Sequence, residues 1–353
     1  MIGFTRAPST LYSNLLRRNA NAEMQAQLSR AEQELATGIK SDIYKSLGPT
    51  AAEALSLDAA LSRDTAQIAA NKLLGGRLDT MSSALGSMGE AVQSTLQLAV
   101  TNSGFNGGTA SGLQTSARAS LDALMSMANA NYGGTPLFAG PSDGARALQD
   151  YDTPRAETGL SPRVVIDGVM AGGLGSVSDA TARIAELDAI FSNTAANPDE
   201  TFDALFFTGA TAADPMSAGI GDGITVNYGV QANDGAFRQA LQGLVMLATT
   251  DVSEIGDAEA YATWVDTAAA RLSSGLEGLL DSQVQLDTAS ARIDEANTRM
   301  EDRANLYKGR VAELVEVDSY EAATEITALE TQLQASYAVT ARLSQLSFLN
   351  FMR

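Results

Sequence analysis

The sequence predicts a mainly α-helical protein in which two long helical arms flank an inserted α+β segment. Of its 353 residues, 45% are hydrophobic but only 6% are aromatic. Ala, Leu and Val must therefore supply the core, which is typical of long packed helices. In both flanks the apolar residues recur at helical spacing, whereas the middle contains most of the excess acid and many turn residues.

The uneven charge indicates the domain organisation. Residues 139–260 contain 18 of the 42 acidic side chains and 5 of the 23 basic ones. Acidic and basic residues balance before residue 139, and the flank after residue 260 has a smaller acidic excess, so we predict that the middle is a separate, solvated insertion. We predict three domains. Residues 1–38 plus 319–353 form a terminal helical coiled-coil domain, and residues 39–138 plus 233–318 form a helical bundle core domain. Residues 139–232 form an inserted acidic α+β domain.

The amino-terminal arm begins with an amphipathic helix. Met24, Leu28, Ala31 and Leu35 are spaced 4, 3 and 4 residues apart, and Gly38 follows as a C-terminal cap. Leu11 and Leu15 lie a few turns earlier. Further helices are predicted at about 50–74, 78–100 and 113–130.

The carboxyl-terminal arm has a stronger repeat. Apolar residues recur every seven positions at Leu286, Ile293, Met300, Tyr307 and Leu314. This heptad pattern predicts one long coiled-coil helix. After a break near Asp318, a second seam runs through Ala322, Ile326, Leu329, Leu333, Tyr337 and Thr340 to Leu343 and Leu346.

The inserted segment has a different pattern. Val164–Ile166 and Ile224–Tyr228 are short β-branched runs beside Asp-Gly turns, and we predict both as strands. Thr181–Phe191 between them is predicted as a helix. The acidic residues Asp199, Glu200 and Asp203 are interpreted as a solvated face and not as a catalytic or metal-binding group.

The composition weighs against an enzyme. The chain has 0 Cys and 0 His, which removes the usual nucleophiles, general bases and zinc ligands. We expect no catalytic residue, no cofactor and no metal. The net charge of −19 opposes binding to nucleic acid or to an anionic membrane.

The terminal seams predict contacts between molecules. Two helices alone offer little burial for their outward faces, so we expect neighbouring subunits to cover them. The predicted assembly-interface residues are apolar and lie in the two terminal segments: Leu11, Leu15, Leu28, Leu35, Ile326, Leu329, Leu333, Leu343, Leu346, Phe348 and Phe351.

Both ends of the chain resemble a known family. Gln27–Ser29 followed by Leu35–Gly38 is similar to the amino-terminal segment shared by bacterial flagellins and related junction proteins. Leu329–Tyr337 followed by Leu343–Phe351 resembles the terminus of the FlgL-type hook-associated proteins, which form the hook-filament junction family.

Two inner stretches carry the same resemblance, at Leu137–Gly140 and at Tyr228–Arg238, where the variable domain of the family begins and ends. The chain departs from the family pattern at Ser41–Pro49, which replaces the usual Pro-Ser-Asp-Asp run after Thr-Gly.

The resemblance implies a flagellin-like long-helix bundle and a non-enzymatic structural adaptor that joins the hook to the filament. The implied partners are the first hook-associated protein, flagellin, copies of the chain in a ring, and the flagellar export apparatus with a chaperone. The implied location is the extracellular flagellum, reached without a cleaved signal peptide. A filament-forming flagellin and a non-flagellar coiled-coil binding protein stay open as alternatives.

Overall fold

A computed structural model describes residues 10–42, 47–104, 110–141, 146–211 and 216–351 of the chain. The side chains of residues 10, 11, 13, 14, 110, 111 and 343–351 are outside this description. The structure confirms the predicted class, because long helices from both flanks dominate it and the inserted segment contains only short strands.

The described helices are α1 (Thr10–Thr37), α2 (Ala51–Thr101), α3 (Ala110–Ala128), α4 (Pro162–Met170), α5 (Val177–Phe191), α6 (Phe202–Leu205), α7 (Gly235–Thr249), α8 (Ala258–Val315) and α9 (Ser319–Phe351). Short 3₁₀ turns occupy Gly48–Thr50, Pro198–Glu200 and Val252–Glu254. Two antiparallel hairpins pair β1 (Asn131–Tyr132) with β2 (Thr135–Pro136) and β3 (Ser217–Gly221) with β4 (Ile224–Asn227).

The chain divides into two compact units. The terminal unit comprises Met1–Thr65 with Met300–Arg353, and the central unit comprises Ala66–Arg299. The three-domain division by sequence stays a prediction.

Helix α2 corrects one prediction, because it runs without interruption where the sequence indicated two helices separated near Gly75 and Gly76. A Cβ on Gly76 would lie 2.5 Å from the hydroxyl oxygen of Tyr132, so this glycine lets the β1–β2 hairpin approach the helix. Each glycine costs a helix about 1 kcal/mol relative to alanine. Burial of the next turns, at Leu78 and Met81, outweighs that cost.

The predicted strand at Val164–Ile166 is wrong, because these residues lie in helix α4. The Ser161 hydroxyl accepts a hydrogen bond from the Val164 amide at 3.3 Å, and Pro162 occupies the first turn. A serine cap followed by proline is a helix-start signal. It outweighs the strand preference of three β-branched residues, and the side chain of Ile166 is buried in the result.

The predicted strand at Ile224–Tyr228 is confirmed as β4 up to Asn227. The three residues before it form a turn, with left-handed φ angles of 106° at Gly221, 52° at Asp222 and 74° at Gly223. The hairpin is held against the long helices because the Asn71 side chain donates to the Ile220 carbonyl at 3.0 Å and to Asn297 Oδ1 at 2.9 Å.

Trp264 and Tyr261 lie in the core of the central unit, where both side chains are buried. The Trp264 indole donates to the Met246 carbonyl at 3.1 Å, and the Tyr261 hydroxyl donates to the Asn102 carbonyl at 2.6 Å. Their polar atoms are therefore satisfied, as buried polar groups require.

The heptad pattern of α8 is confirmed over most of its length. Leu286, Ile293 and Met300 are each 1% exposed. Beyond Ala304, the later members Tyr307 and Leu314 are half-buried. The seam is thus a buried core of the helix up to Ala304 and a partly open one after it.

Replacing Met300 by Asp should lower the free energy of unfolding by roughly 3 kcal/mol, because a carboxylate would replace a buried thioether. Thermal melting of the purified chain measures the effect. Met300→Leu, which conserves volume, should cost less than about 1.5 kcal/mol. A melting curve unchanged by the aspartate would contradict burial of this seam.

Candidate functional site: the terminal helix pair

The terminal helix pair is formed by α1 and α9, which pack against each other inside the terminal unit. Near one end, the Ser336 hydroxyl donates to Asn21 Oδ1 at 2.5 Å, and Gln25 Nε2 donates to the Tyr337 hydroxyl at 2.6 Å. At the other end, the Val317 amide donates to the Gly38 carbonyl at 3.0 Å. The two helices are therefore antiparallel.

The contact between these helices follows heptad spacing on both sides. The buried and half-buried positions of α1 include Arg17, Asn21, Met24, Leu28 and Ala31, which alternate in steps of 4 and 3. The corresponding positions of α9 are Ala322, Ile326, Leu329, Leu333, Ser336 and Thr340. Sequence reasoning included Thr340 but missed Arg17, Asn21 and Ser336, since an apolar pattern does not identify polar residues that lie between two helices.

The structure separates the predicted interface residues into three groups. Leu329 and Leu333 are buried, and Leu28 and Ile326 are half-buried between the two helices. Leu15 and Leu35 are 58% and 39% exposed. The side chains of the remaining five lie outside the described part of the chain: Leu11, Leu343, Leu346, Phe348 and Phe351. Their common role in assembly stays a prediction.

The joint at the base of the pair is well defined. Gly38 ends α1 with a left-handed φ of 70°, and its amide donates to the Glu34 carbonyl at 2.8 Å, which confirms the predicted cap. The Lys40 amide donates to the Val315 carbonyl at 2.9 Å, and Ile39 forms an antiparallel bridge with Glu316. The segment that follows α1 and the segment that precedes α9 are therefore joined by backbone hydrogen bonds.

An ion pair stabilises the helices below this joint. Arg303 on α8 donates from Nε to Asp64 Oδ2 at 2.7 Å and from Nη2 to Asp64 Oδ1 at 3.0 Å, and the Asp64 side chain is 14% exposed. The hydrogen bonds from Arg303, supported by its charge, outweigh desolvation and lower the pKa of Asp64 below its usual value.

We expect Asp64→Asn to lower the free energy of unfolding at pH 7 by about 1–2 kcal/mol. The ionised carboxylate stabilises the fold above the unfolded pKa of about 3.9, and this contribution is lost as the pH falls through the lowered pKa. The gap between wild type and variant should therefore close under acid, as urea denaturation at neutral and acidic pH would measure. Glu53→Gln, which removes a more exposed partner of Arg310, should change little at either pH. A gap that does not depend on pH would contradict this assignment.

The outward face of α9 forms a shallow groove, here called the α9 groove. Its volume is about 660 Å³. It is lined by Tyr320, Ala323, Thr324, Thr327, Ala328, Thr331 and Gln332. The hydroxyls of Thr324, Thr327 and Thr331 donate to backbone carbonyls four residues earlier at 2.8, 2.9 and 2.8 Å. Since these donors are used locally, the threonines offer mainly methyl groups to a partner.

Of the three acidic residues singled out in the insert, Asp199 is exposed, whereas Glu200 and Asp203 are half-buried. Glu200 Oε1 accepts a hydrogen bond from Asn197 Nδ2 at 2.9 Å. Thr201, which directly follows Asp199 and Glu200, caps α6, and the Asp203 amide donates to Asn193 Oδ1 at 3.0 Å. In the described residues, no cluster of three or more acidic, histidine or cysteine side chains is arranged to bind a metal ion. None of the described helices combines the length and apolarity needed to cross a membrane.

Comparison with known proteins agrees with this architecture. The family model "Bacterial flagellin N-terminal helical region" matches residues 9–143, and "Bacterial flagellin C-terminal helical region" matches residues 265–352. Together the two matches cover more than half of the chain. The search of curated proteins finds no match.

Among solved structures, the chain is similar to a candidate flagellar hook-associated protein from Vibrio parahaemolyticus. The sequence identity is 11% and the TM-score is 0.50, and the alignment covers 75% of this chain and 97% of that one. At this identity the likeness supports the fold. Because flagellin models match both helical flanks, which are the parts that form the long helices, this chain belongs to the bacterial flagellin family, whose members are structural proteins and not enzymes.

Proposed function

We propose that this chain is the adaptor that joins the flagellar hook to the flagellin filament. The observation that carries the proposal is the carboxyl-terminal segment, Leu329–Tyr337 with Leu343–Phe351, which resembles the junction proteins more than flagellins. The structural likeness to a candidate hook-associated protein supports the same choice within the family.

The terminal helix pair suits an assembly role. Leu15 and Leu35 remain exposed on it, and Tyr320 at the start of α9 is 82% exposed. In the proposed assembly these exposed apolar side chains are the ones that a partner covers. The proposed partners are the first hook-associated protein on one side, flagellin on the other, and further copies of this chain in a ring.

The proposed location is the extracellular flagellum. Export of the chain would use the flagellar apparatus and a chaperone. The chain has 0 Cys, so its passage and folding require no disulfide formation.

Electron microscopy of bacteria from which the coding sequence is deleted tests the proposal. We expect hooks that lack filaments, together with flagellin released into the medium, and restoration by the wild-type chain. Loss of filaments without released flagellin would instead indicate a filament-forming flagellin. Normal filaments on the mutant would contradict the proposal and favour a role outside the flagellum.

A further inference from the structure

A polar pocket lies on the surface of the central unit, where the inserted segment begins. Its volume is about 700 Å³, which falls within the roughly 300–1,000 Å³ of pockets that hold small molecules. The carboxyl-terminal half of α3 and the first residue of β1 form one wall, and residues 146–153 form the other. All of these residues belong to the central unit. We call this feature the insert pocket.

The two walls of the insert pocket are tied together by Asn129, which directly follows α3. Its Oδ1 accepts hydrogen bonds from the amides of Ala147 and Leu148 at 2.9 and 2.8 Å. Its Nδ2 donates to the Leu148 carbonyl at 3.0 Å. Because these bonds fix the backbone of the second wall, the polar side chains of that wall are held in position before a ligand arrives, which lowers the entropic cost of binding.

The charged side chains of the pocket are partly paired. Asp150 forms an ion pair with Arg146, and Asp152 forms one with Arg163 of α4. The carboxylate of Asp122 on α3 has no ion-pair or hydrogen-bond partner among the described residues. Two of the three carboxylates are therefore neutralised, and all three keep lone pairs that can accept further hydrogen bonds.

The pocket also contains hydroxyl groups with unused hydrogen-bonding capacity. Ser126 lies one turn after Asp122, and its hydroxyl forms no hydrogen bond with the part of the chain that the structure describes. The Tyr151 hydroxyl is buried and likewise has no partner among those residues. Burial, with a smaller contribution from Asp167, raises the pKa of Tyr151, so its hydroxyl remains a donor at neutral pH. Since buried polar groups are normally paired, this wall suits a ligand that brings polar groups of its own.

These features select one class of ligand. An anion would be repelled, because three carboxylates line the pocket beside a single guanidinium. An apolar molecule would bury charged groups without giving them partners. A cation would find only Asp122 unpaired and would be repelled by Arg146. A neutral molecule with several hydroxyl groups can donate to the carboxylates and accept from the guanidinium at the same time.

We propose that the insert pocket binds a neutral sugar. The sugar hydroxyls donate to the carboxylates of Asp122 and Asp150, and they accept hydrogen bonds from the Arg146 guanidinium and the Ser126 hydroxyl. Because these groups are exposed to water, binding is weak, with a dissociation constant on the order of 1 mM. Sugar binding goes beyond the proposed junction role and does not depend on it.

Saturation-transfer NMR of the full-length chain tests this site. The sugar probes are glucose, galactose, mannose and N-acetylglucosamine, each titrated separately, and spermidine is the cationic probe. We expect saturation transfer to at least one of the sugars. Their binding should persist at high salt, because the ligand is uncharged, whereas ionic binding of spermidine at exposed carboxylates would be screened.

The decisive variant is Asp122→Ala, which removes the unpaired carboxylate. Binding of the sugar should weaken about tenfold, as expected for the loss of a hydrogen bond to a charged group. Asp266→Ala, which removes an exposed aspartate from α8, is the matched control and should leave binding unchanged. Asp122 is itself exposed, so both variants should fold, and thermal melting checks this.

Sugar binding that Asp122→Ala weakens and Asp266→Ala leaves intact supports the proposal. Equal binding by the two variants would locate the sugar elsewhere and overturn it. Binding of spermidine without any of the sugars would overturn it in favour of a cation site, and no binding of any probe would also overturn it. The deletion experiment in bacteria does not depend on these titrations, so the sugar site and the junction role can each fail without the other.

Discussion

Gly275→Ala is expected to destabilise the central unit by about 2–3 kcal/mol, although alanine is the better helix former. A Cβ on Gly275 would lie 2.4 Å from the backbone nitrogen and 2.6 Å from the Cα of Ala240 on α7. Helix propensity favours the change by about 1 kcal/mol. Overpacking against a backbone that cannot rotate away costs more, since α7 and α8 would have to separate.

The matched control is Gly309→Ala on the same helix. No heavy atom lies within 4 Å of a Cβ built there, so only the propensity gain remains. This variant should stabilise the protein by about 0.5–1 kcal/mol. Urea denaturation of both variants measures the difference. If Gly275→Ala were as stable as wild type, the close approach of α7 and α8 would be wrong.

Ending the chain after Asp318 is expected to abolish attachment of filaments to hooks while the central unit still unfolds cooperatively. The cut removes α9 and with it the α9 groove and the buried residues Leu329 and Leu333. It leaves Ala66–Arg299 complete. The loss therefore concerns assembly, because the core of the central unit does not depend on the deleted helix.

This result is measured in a deletion strain by counting filaments in the electron microscope, with melting of the purified truncated chain alongside. Immunoblotting of the medium confirms that the truncated chain is exported. Leu73→Ala, which removes an exposed leucine of the central unit, is the control and should leave filaments attached. Filaments on hooks built with the exported truncated chain would contradict the assembly role of α9.

Much of the fold could be predicted from periodicity. The heptad of α8 identified Leu286, Ile293 and Met300 as core residues, and all three are buried. Gly38 was recognised as a cap because a glycine that directly follows an apolar stripe suits a left-handed residue. In both cases the signal is local, so it needs no knowledge of the neighbouring elements.

One error arose where long-range packing decided the outcome. Gly75 and Gly76 indicate a break, but packing on Tyr132 and burial beyond them keep α2 continuous. The β-branched residues Val164–Ile166 favour a strand, but the Ser161 cap starts a helix there. The serine is a local signal that the sequence already shows. The α9 groove was missed for another reason. Threonine is classed as polar in a sequence, and only the structure shows that the hydroxyls of these threonines bond to carbonyls of their own helix.

The sequence by itself determined the mainly helical class, the absence of thiol and imidazole chemistry, and the membership of the flagellin family, because composition, heptad spacing and terminal motifs are properties of the chain alone. Only the tertiary structure decided which leucines face inward and which remain exposed. Leu15 and Leu329 are both predicted interface residues of the terminal helices, yet one is 58% and the other 7% exposed. The difference in exposure depends on where α1 and α9 contact each other. The spacing of apolar residues along one helix does not show where the other helix packs against it.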